Sequence, residues 1–270
     1  LKPPGASFGR GIFKINSYEE AEECFKQFVE YCNPSRDEIY SYFSEEFILE
    51  EYLNGTEHSI AGMVADGQVY ILAIIDKKIN REIPFQYENI IPSKLPSELQ
   101  TEIVEIADLA VKQMGINWCG FHIDLMVSNN NPKILEIGGR LGGECINSHL
   151  IPLSSSFKLR PYDLLLQVVQ GNNPFTKSNF ISDAVKQSGI RAFLPPKPGK
   201  IVSIEGFDKV ANHTKTVAFT QLKKVNDQVF LPIDKTNEFA VGYVIAQCEA
   251  DEDIEEILSE LASLVEIKIE

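Results

Sequence analysis

Residues 120–144 read GFHIDLMVSNNNPKILEIGGRLGGE. This stretch predicts two short strands, Phe121–Val127 and Lys133–Ile137, around the polar turn 128–132. Asn tolerates left-handed backbone and Pro fixes φ, so both punctuate turns. If the loop closes between Val127 and Lys133, Asp124 falls opposite Glu136. Residues opposed across a strand pair point to one face of the sheet. Two carboxylates side by side repel, and a hairpin has no structural reason to keep them. A divalent cation converts that repulsion into binding, and hard oxygen ligands suit Mg²⁺. Arg140 follows in a Gly-flanked segment that lets a ligand approach the backbone. Two acids and one fixed cation are what phosphoryl transfer to a carboxylate requires. Two plainer readings stay open: strand acids that are merely solvated, and a one-residue slip that would put the pair on opposite faces.

The chain has 270 residues, 44% of them hydrophobic, and a formal net charge of −14. That length accommodates one large domain or two smaller ones, with an ordinary globular core. The negative charge argues against nucleic acid and anionic membrane as partners. No apolar run reaches membrane-spanning length, and no signal peptide is evident. Cys24, Cys32, Cys119, Cys145 and Cys248 are widely spread, without zinc spacing, which predicts reduced thiols in the cytosol. The abrupt start at Leu1-Lys2-Pro3-Pro4 suggests a chain that begins inside a domain.

At the other end of the first segment, Gly5, Ser7, Gly9 and Gly11 form a glycine-rich loop that Lys2 precedes. Such loops expose N–H groups to phosphate oxygens, although a plain hairpin turn looks the same. The loop is predicted to run into a strand, Ile12–Ile15, and not into a helix. That excludes the P-loop and Rossmann arrangements and leaves a flap over a nucleotide. Ser17 and Glu20 predict a capping box for a helix with Ala21, Phe25, Phe28 and Val29 inward. Phe47–Leu53 reads as a buried strand whose charged end, Glu50 and Glu51, feeds a linker, a usual seat for an adenine or simply an exposed strand end. Val69–Ile75 is an apolar strand, and residues 76–96 read as an irregular stretch around the site. Ser97 and Gln100 start a helix with Leu99, Ile103, Ile106, Ala110 and Met114 on one stripe, ended by Gly115. Residues 145–160 look like loop, and Pro161 opens a short helix. Residues 172–185 read as a linker. Residues 186–270 read as a small module of short strands and one helix, Asp251–Val265.

These pieces, in the order Lys–loop–strand, FILEEYLNGTEHS, long helix, GFHID, ILEIGGRLGGE, resemble the ATP-grasp superfamily. Carbamoyl phosphate synthase large subunit, phosphoribosylglycinamide synthetase, biotin carboxylase and bacterial amino-acid ligases are its relevant branches. GIRAFLPPKPGKIVSIEG and VGYVIAQCEADEDIEEILSEL resemble the C-terminal domain of the biotin carboxylase-like branch. The resemblance implies an α+β class: a partial ATP-grasp fold without its N-terminal portion, plus a small C-terminal α+β module. Its divisions would be a nucleotide-covering part at 1–66, a metal and catalytic part at 67–171, a linker at 172–185 and the module at 186–270. It implies an ADP-forming ligase that phosphorylates a carboxylate and lets an amine attack, with ATP and Mg²⁺ or Mn²⁺ as cofactors. The alternatives are a non-catalytic nucleotide-binding module and a bicarbonate-activating carboxylase.

Position by position, the resemblance gives Lys2 to the ATP phosphates and the loop with Ser7, Gly9 and Gly11 to their cover. Glu50 would meet the adenine amino group, with the backbone of Tyr52 and Leu53 beside it, and Glu57 the ribose side. Asp124 and Glu136 would hold the metal, Arg140 the transferring phosphate. Glu144 would be an active-site acid, and Arg191 would reach substrate from the C-terminal module. His122 would stand behind the first metal acid. Gly138 departs from the family's E-x-N-x-R pattern, where Asn stands at that position. The resemblance also implies that these residues are inactive without an upstream part. It places the protein in the cytoplasm and leaves monomer and homodimer open.

Overall fold

The computed structural model describes residues 1–6, 9–43, 46–80, 85–175, 184–232 and 238–270. These fall into two compact units: Leu1–Leu53 with Phe230–Phe239, and Asn54–Val229 with Ala240–Glu270.

In the first unit, helix α1 (Ala21–Tyr31) is followed by a 3-10 turn, Glu38–Phe43. The predicted capping box does not form. Glu20 caps without a side-chain bond and accepts instead from the backbone N–H of Asn16, because the helix begins later than Ser17. Phe28 and Tyr31 are buried, whereas Phe25 and Val29 are exposed. Phe13, Phe28 and Tyr31 pack edge to face. Neither predicted flanking strand forms a ladder. Phe13 exchanges backbone bonds with Leu1, and Ile48 makes a single antiparallel bridge with Lys2. Phe47, Leu49 and Tyr52 are exposed, which corrects the expectation of a buried strand there.

The second unit is built on an eight-stranded sheet. Its elements in chain order are β1 (Thr56–Ala65), β2 (Gln68–Asn80), β3 (Phe85–Ile91), α2 (Ser97–Gln113), β4 (Cys119–Ser128) and β5 (Asn131–Gly138). A π-turn (Ile146–Leu150), α3 (Ile151–Ser154) and α4 (Pro161–Val169) follow. Then come β6 (Lys186–Phe193), β7 (Gly199–Glu205), α5 (Phe207–Ala211), β8 (Thr216–Gln221), β9 (Gln228–Val229), β10 (Gly242–Glu249), α6 (Ile254–Ser263) and β11 (Glu266–Ile269). The sheet order is β5-β4-β1-β2-β3-β6-β10-β8, with β11-β7-β9 as a separate small sheet. β3 pairs with β6, so the residues expected to form a C-terminal module continue the same sheet. β1 belongs to this sheet too, so the first unit ends at Leu53 and not at residue 66.

Residues 76–80 and 85–91, expected to be irregular, are strand: Asp76, Lys77 and Lys78 pair with Ile90, Asn89 and Glu88. The charged residues obscured the period of two. Segment 145–160 likewise carries the π-turn and α3 in place of loop.

One face of the sheet packs Ala61, Met63, Leu72 and Ile75 against Ile146, Leu150 and Val168. The other packs Ile60, Ile74, Phe121 and Ile123 against α2. The buried stripe of α2 is Leu99, Ile103, Ala107 and Val111, a rotation from the predicted one that leaves Met114 exposed. Gly115, at φ +68°, ends the helix where glycine alone is unstrained. Further along the second face, α6 buries Ile254, Leu258 and Leu261 against Ile90, Phe193 and Val244. Asp253 caps α6 by accepting from the Glu255 N–H.

Candidate active site

Asp124 and Glu136 are register partners across the β4–β5 hairpin, as the sequence predicted. The hairpin reaches that register differently. Asn129 and Asn130, at φ 51° and 59°, make a two-residue turn that pairs Ser128 with Asn131. A bulge between Asp124 and Leu125 then inserts one residue on β5 and restores the opposition.

Asp124 is held by three strands. The Ser59 hydroxyl of β1 donates to its Oδ1 at 2.6 Å and the Lys77 ammonium of β2 at 2.9 Å. His122 Nε2 lies 3.2 Å from the same oxygen. Among the described residues, Oδ2 receives none of these bonds. Burial works against the charged carboxylate, but the His122 bond, the Lys77 charge and the Ser59 hydroxyl outweigh it. Its pKa therefore lies well below the usual range.

Lys77, only 7% exposed in its side chain, also pairs with Glu57 at 2.7 Å. Burial disfavours its charge, yet Asp124 and Glu57 together raise its pKa. Sequence reasoning missed Lys77. The signal was the period of two that carries the inward face of β2 from Ala73 through Ile75 to Lys77. Glu57, expected near a ribose, is here a partner of that lysine.

Glu136 and Arg140 are exposed. Among the described residues Arg140 bonds only the Leu141 carbonyl and meets no carboxylate. The loop that carries it approaches closely: a Cβ on Gly142 would stand 2.3 Å from His122 Nδ1. Gly138 is roomy by contrast, its nearest neighbour being Arg140 Cγ at 3.6 Å.

Glu144 lies just before the π-turn with left-handed backbone at φ 56°, followed by Cys145 at 59°. Consecutive left-handed residues other than Gly are costly and concentrate at functional sites. Its carboxylate accepts from Asn89 Nδ2 at 2.7 Å and from Gln86 Nε2. Asn89 is 2% exposed and pairs in register with Lys77. The polar row therefore runs Glu136, Asp124, Lys77, Asn89, Glu144 on one face. Gln86 and Asn89 were hidden in the stretch read as irregular.

Arg191 does not join this row. It pairs with Glu88 at 2.6 Å, in register with Lys78, on the opposite face of the sheet. Strand alternation separates it from Lys77 and Asn89, so Arg191, expected to reach substrate from the C-terminal module, stands on the face opposite Asp124.

In the first unit Lys2 and Glu50, both expected at a nucleotide, form an ion pair at 2.6 Å. Gly9 and Gly11 take positive φ, 68° and 75°, as a backbone N–H loop requires. Ser7 lies outside the described residues. Tyr52 is exposed, its ring 4.0 Å from Lys14 Nζ, and Leu53 is half-buried.

The sequence profile of the ATP-grasp domain matches residues 1–148, more than half of the chain. The chain belongs to the ATP-grasp family. A second profile, the L-amino acid ligase C-terminal domain 2, matches residues 191–270 of this ATP-grasp chain. Alanine–anticapsin ligase of Bacillus subtilis is 31% identical over 184 residues, covering 63% of this chain and 38% of that protein. Human carnosine synthase 1 is 22% identical over 247 residues, 87% of this chain and 27% of that protein. The chain thus spans well under two thirds of these curated relatives. Among solved structures, the L-amino acid ligase from Bacillus licheniformis superposes with a TM-score of 0.80 at 20% identity, covering 95% of this chain and 62% of that one. Phosphoribosylglycinamide synthetase from Anaerococcus prevotii gives 0.65 at 18% identity, over 94% and 61%. At these identities the superpositions establish the fold.

Asp124 and Glu136 are carboxylates opposed across neighbouring strands, the oxygen chemistry that a hard divalent cation takes, and the bonds to Oδ1 hold the first of them in place. Among the described residues no group of three or more His, Cys, Asp or Glu side chains is placed to hold a metal ion by itself. Mg²⁺ usually keeps water and phosphate in its remaining positions.

Proposed function

We propose that this chain is the nucleotide- and metal-binding part of a ligase that uses ATP to join a carboxylate to an amine, forming ADP. The observation that carries the reading is the convergence of Ser59, Lys77 and His122 on one oxygen of Asp124, the residue that pairs in register with Glu136 on the neighbouring strand. Asp124 and Glu136 would hold Mg²⁺ or Mn²⁺, which when bound neutralises phosphate charge. Arg140, lacking a carboxylate partner among the described residues, would take the transferring phosphoryl group. Lys2 and Glu50 would exchange each other for the phosphates and the adenine. Lys77 keeps Asp124 ionised and still. Glu144, ordered by Gln86 and Asn89, would receive the proton that the amine loses on attacking the acylphosphate. Positioning and charge neutralisation supply the acceleration, with no nucleophilic side chain.

The kinship with amino-acid ligases favours amino acids as both substrates. The test is ADP release by the longest natural chain containing these residues, over a matrix of amino-acid pairs with Mg²⁺. ADP release that needs both partners supports the ligase. Nucleotide binding without ADP release under any pair would contradict it and point to a non-catalytic nucleotide module.

A further inference from the structure

Behind the polar row, on the opposite face, charges alternate in sign. Arg191 of β6 pairs with Glu88 of β3 at 2.6 Å, and Lys78 of β2 lies 3.2 Å from Glu88 and also pairs with Glu255 of α6. Lys94 reaches Glu255 at 3.4 Å and Asp253, the cap of α6, at 2.7 Å. Three cations and three anions thus form a neutral clasp that ties the start of α6 to strands β2, β3 and β6 and to the loop after β3 that carries Lys94. Glu88 is its centre, 1% exposed and compensated by two cations. The guanidinium of Arg191 also lies 5.2 Å from the centre of the Tyr87 ring and 3.4 Å from Ser259 Oγ. Every ionic contact of Arg191 therefore points away from the face that carries Asp124.

The clasp and the polar row share backbone. Lys78 adjoins Lys77, and Glu88 adjoins Asn89, with the two pairs in register. A strand fixed on one face is fixed on the other, because successive side chains leave one rigid pleat. We propose that Arg191 is a positioning residue: by neutralising Glu88 behind the sheet it sets Lys77 against Asp124 and Asn89 against Glu144 in front. The inference rests on the ligase reading for its catalytic consequence, but not for its structural one. Removing Arg191 leaves the buried Glu88 with Lys78 alone, which it shares with Glu255, whereas removing both charges leaves no under-compensated carboxylate, so the two variants separate positioning from direct binding.

The experiment compares Arg191→Met, Glu88→Gln and the double variant with the wild-type protein in the longest natural chain. One readout is ADP release with the substrate pair found for the wild type. The other is amide hydrogen exchange in the peptide covering residues 85–91, which requires no activity. Arg191→Met is expected to lower kcat about tenfold or more, to leave KM for the carboxylate within about twofold, and to speed exchange about tenfold. The double variant is expected to return both readouts to within about threefold of the wild type. An Arg191→Met chain that fails to fold beside a double variant that folds supports the same conclusion. A double variant as impaired as Arg191→Met, or a raised KM with unchanged exchange, overturns it. Removing Glu88 cannot replace a guanidinium that binds substrate. A wild-type protein without ADP release refutes the ligase reading, and the clasp is then decided by exchange alone.

Discussion

Lys77 Nζ lies 2.9 Å from Asp124 Oδ1 and 2.7 Å from Glu57 Oε1, so a nearly buried ammonium from β2 ties together carboxylates of β4 and β1. Severing such a pair leaves uncompensated charge in a poorly solvated place. Lys77→Met is expected to lower unfolding free energy by about 3 kcal/mol. Urea denaturation followed by circular dichroism measures it, and a loss below about 1 kcal/mol would mean the pairs are screened as surface ones are.

The same contacts give Asp124 a pH signature. Its pKa is depressed in the folded protein, chiefly through the His122 bond and the Lys77 charge, which outweigh the opposing cost of burial. A depressed pKa contributes stability that is complete above the unfolded value, near about 4, and is lost as pH falls from there through the folded value. Unfolding free energy measured from neutrality down to about pH 2 should therefore fall more steeply below about pH 4 for the wild type than for Asp124→Asn. Equal acid limbs would remove Asp124 as a source of acid sensitivity.

Gly142 and Gly138 make a matched pair. A Cβ at Gly142 would stand 2.3 Å from a ring nitrogen of His122, whereas at Gly138 nothing comes nearer than 3.6 Å. Gly142→Ala is expected to cost about 2 kcal/mol or more, and Gly138→Ala under about 1. Thermal unfolding of both variants decides it, and similar costs would show that the loop yields easily.

The room at Gly138 has a second consequence. An amide oxygen there would stand on the strand that carries Glu136, next to the proposed cation. Gly138→Asn is expected to keep the fold and to tighten Mg²⁺ binding by about threefold or more, read by calorimetric titration in the presence of ADP. Unchanged or weaker affinity would place the cation elsewhere.

What the sequence disclosed follows from how each element is stabilised. The hairpin of β4 and β5 was legible because Asn129, Asn130 and Pro132 punctuate it and apolar residues alternate through Ile123 and Leu125. Its internal geometry was not. A two-residue turn and a bulge combine to give the register that a longer loop would have given. β3 was missed because Gln86, Glu88 and Asn89 resemble loop residues; each is satisfied by tertiary partners, Glu144, Arg191 and Lys78 among them. Phe47–Leu53 failed the other way. Its apolar residues looked like core, but their one bridge to Lys2 leaves most of them exposed. The resemblance says nothing of which face Arg191 occupies; only the register of β6 on β3 reveals it.

The most direct test of the acidic pair is ADP release by Glu136→Gln in the longest natural chain, with saturating ATP, Mg²⁺ and the best amino-acid pair. Glu136 is exposed, so the amide should leave the unfolding transition in place. The pairing with Asp124 predicts that ADP release drops by about a hundredfold or more. Turnover within about twofold of the wild type would contradict the shared cation and, with it, the proposed chemistry.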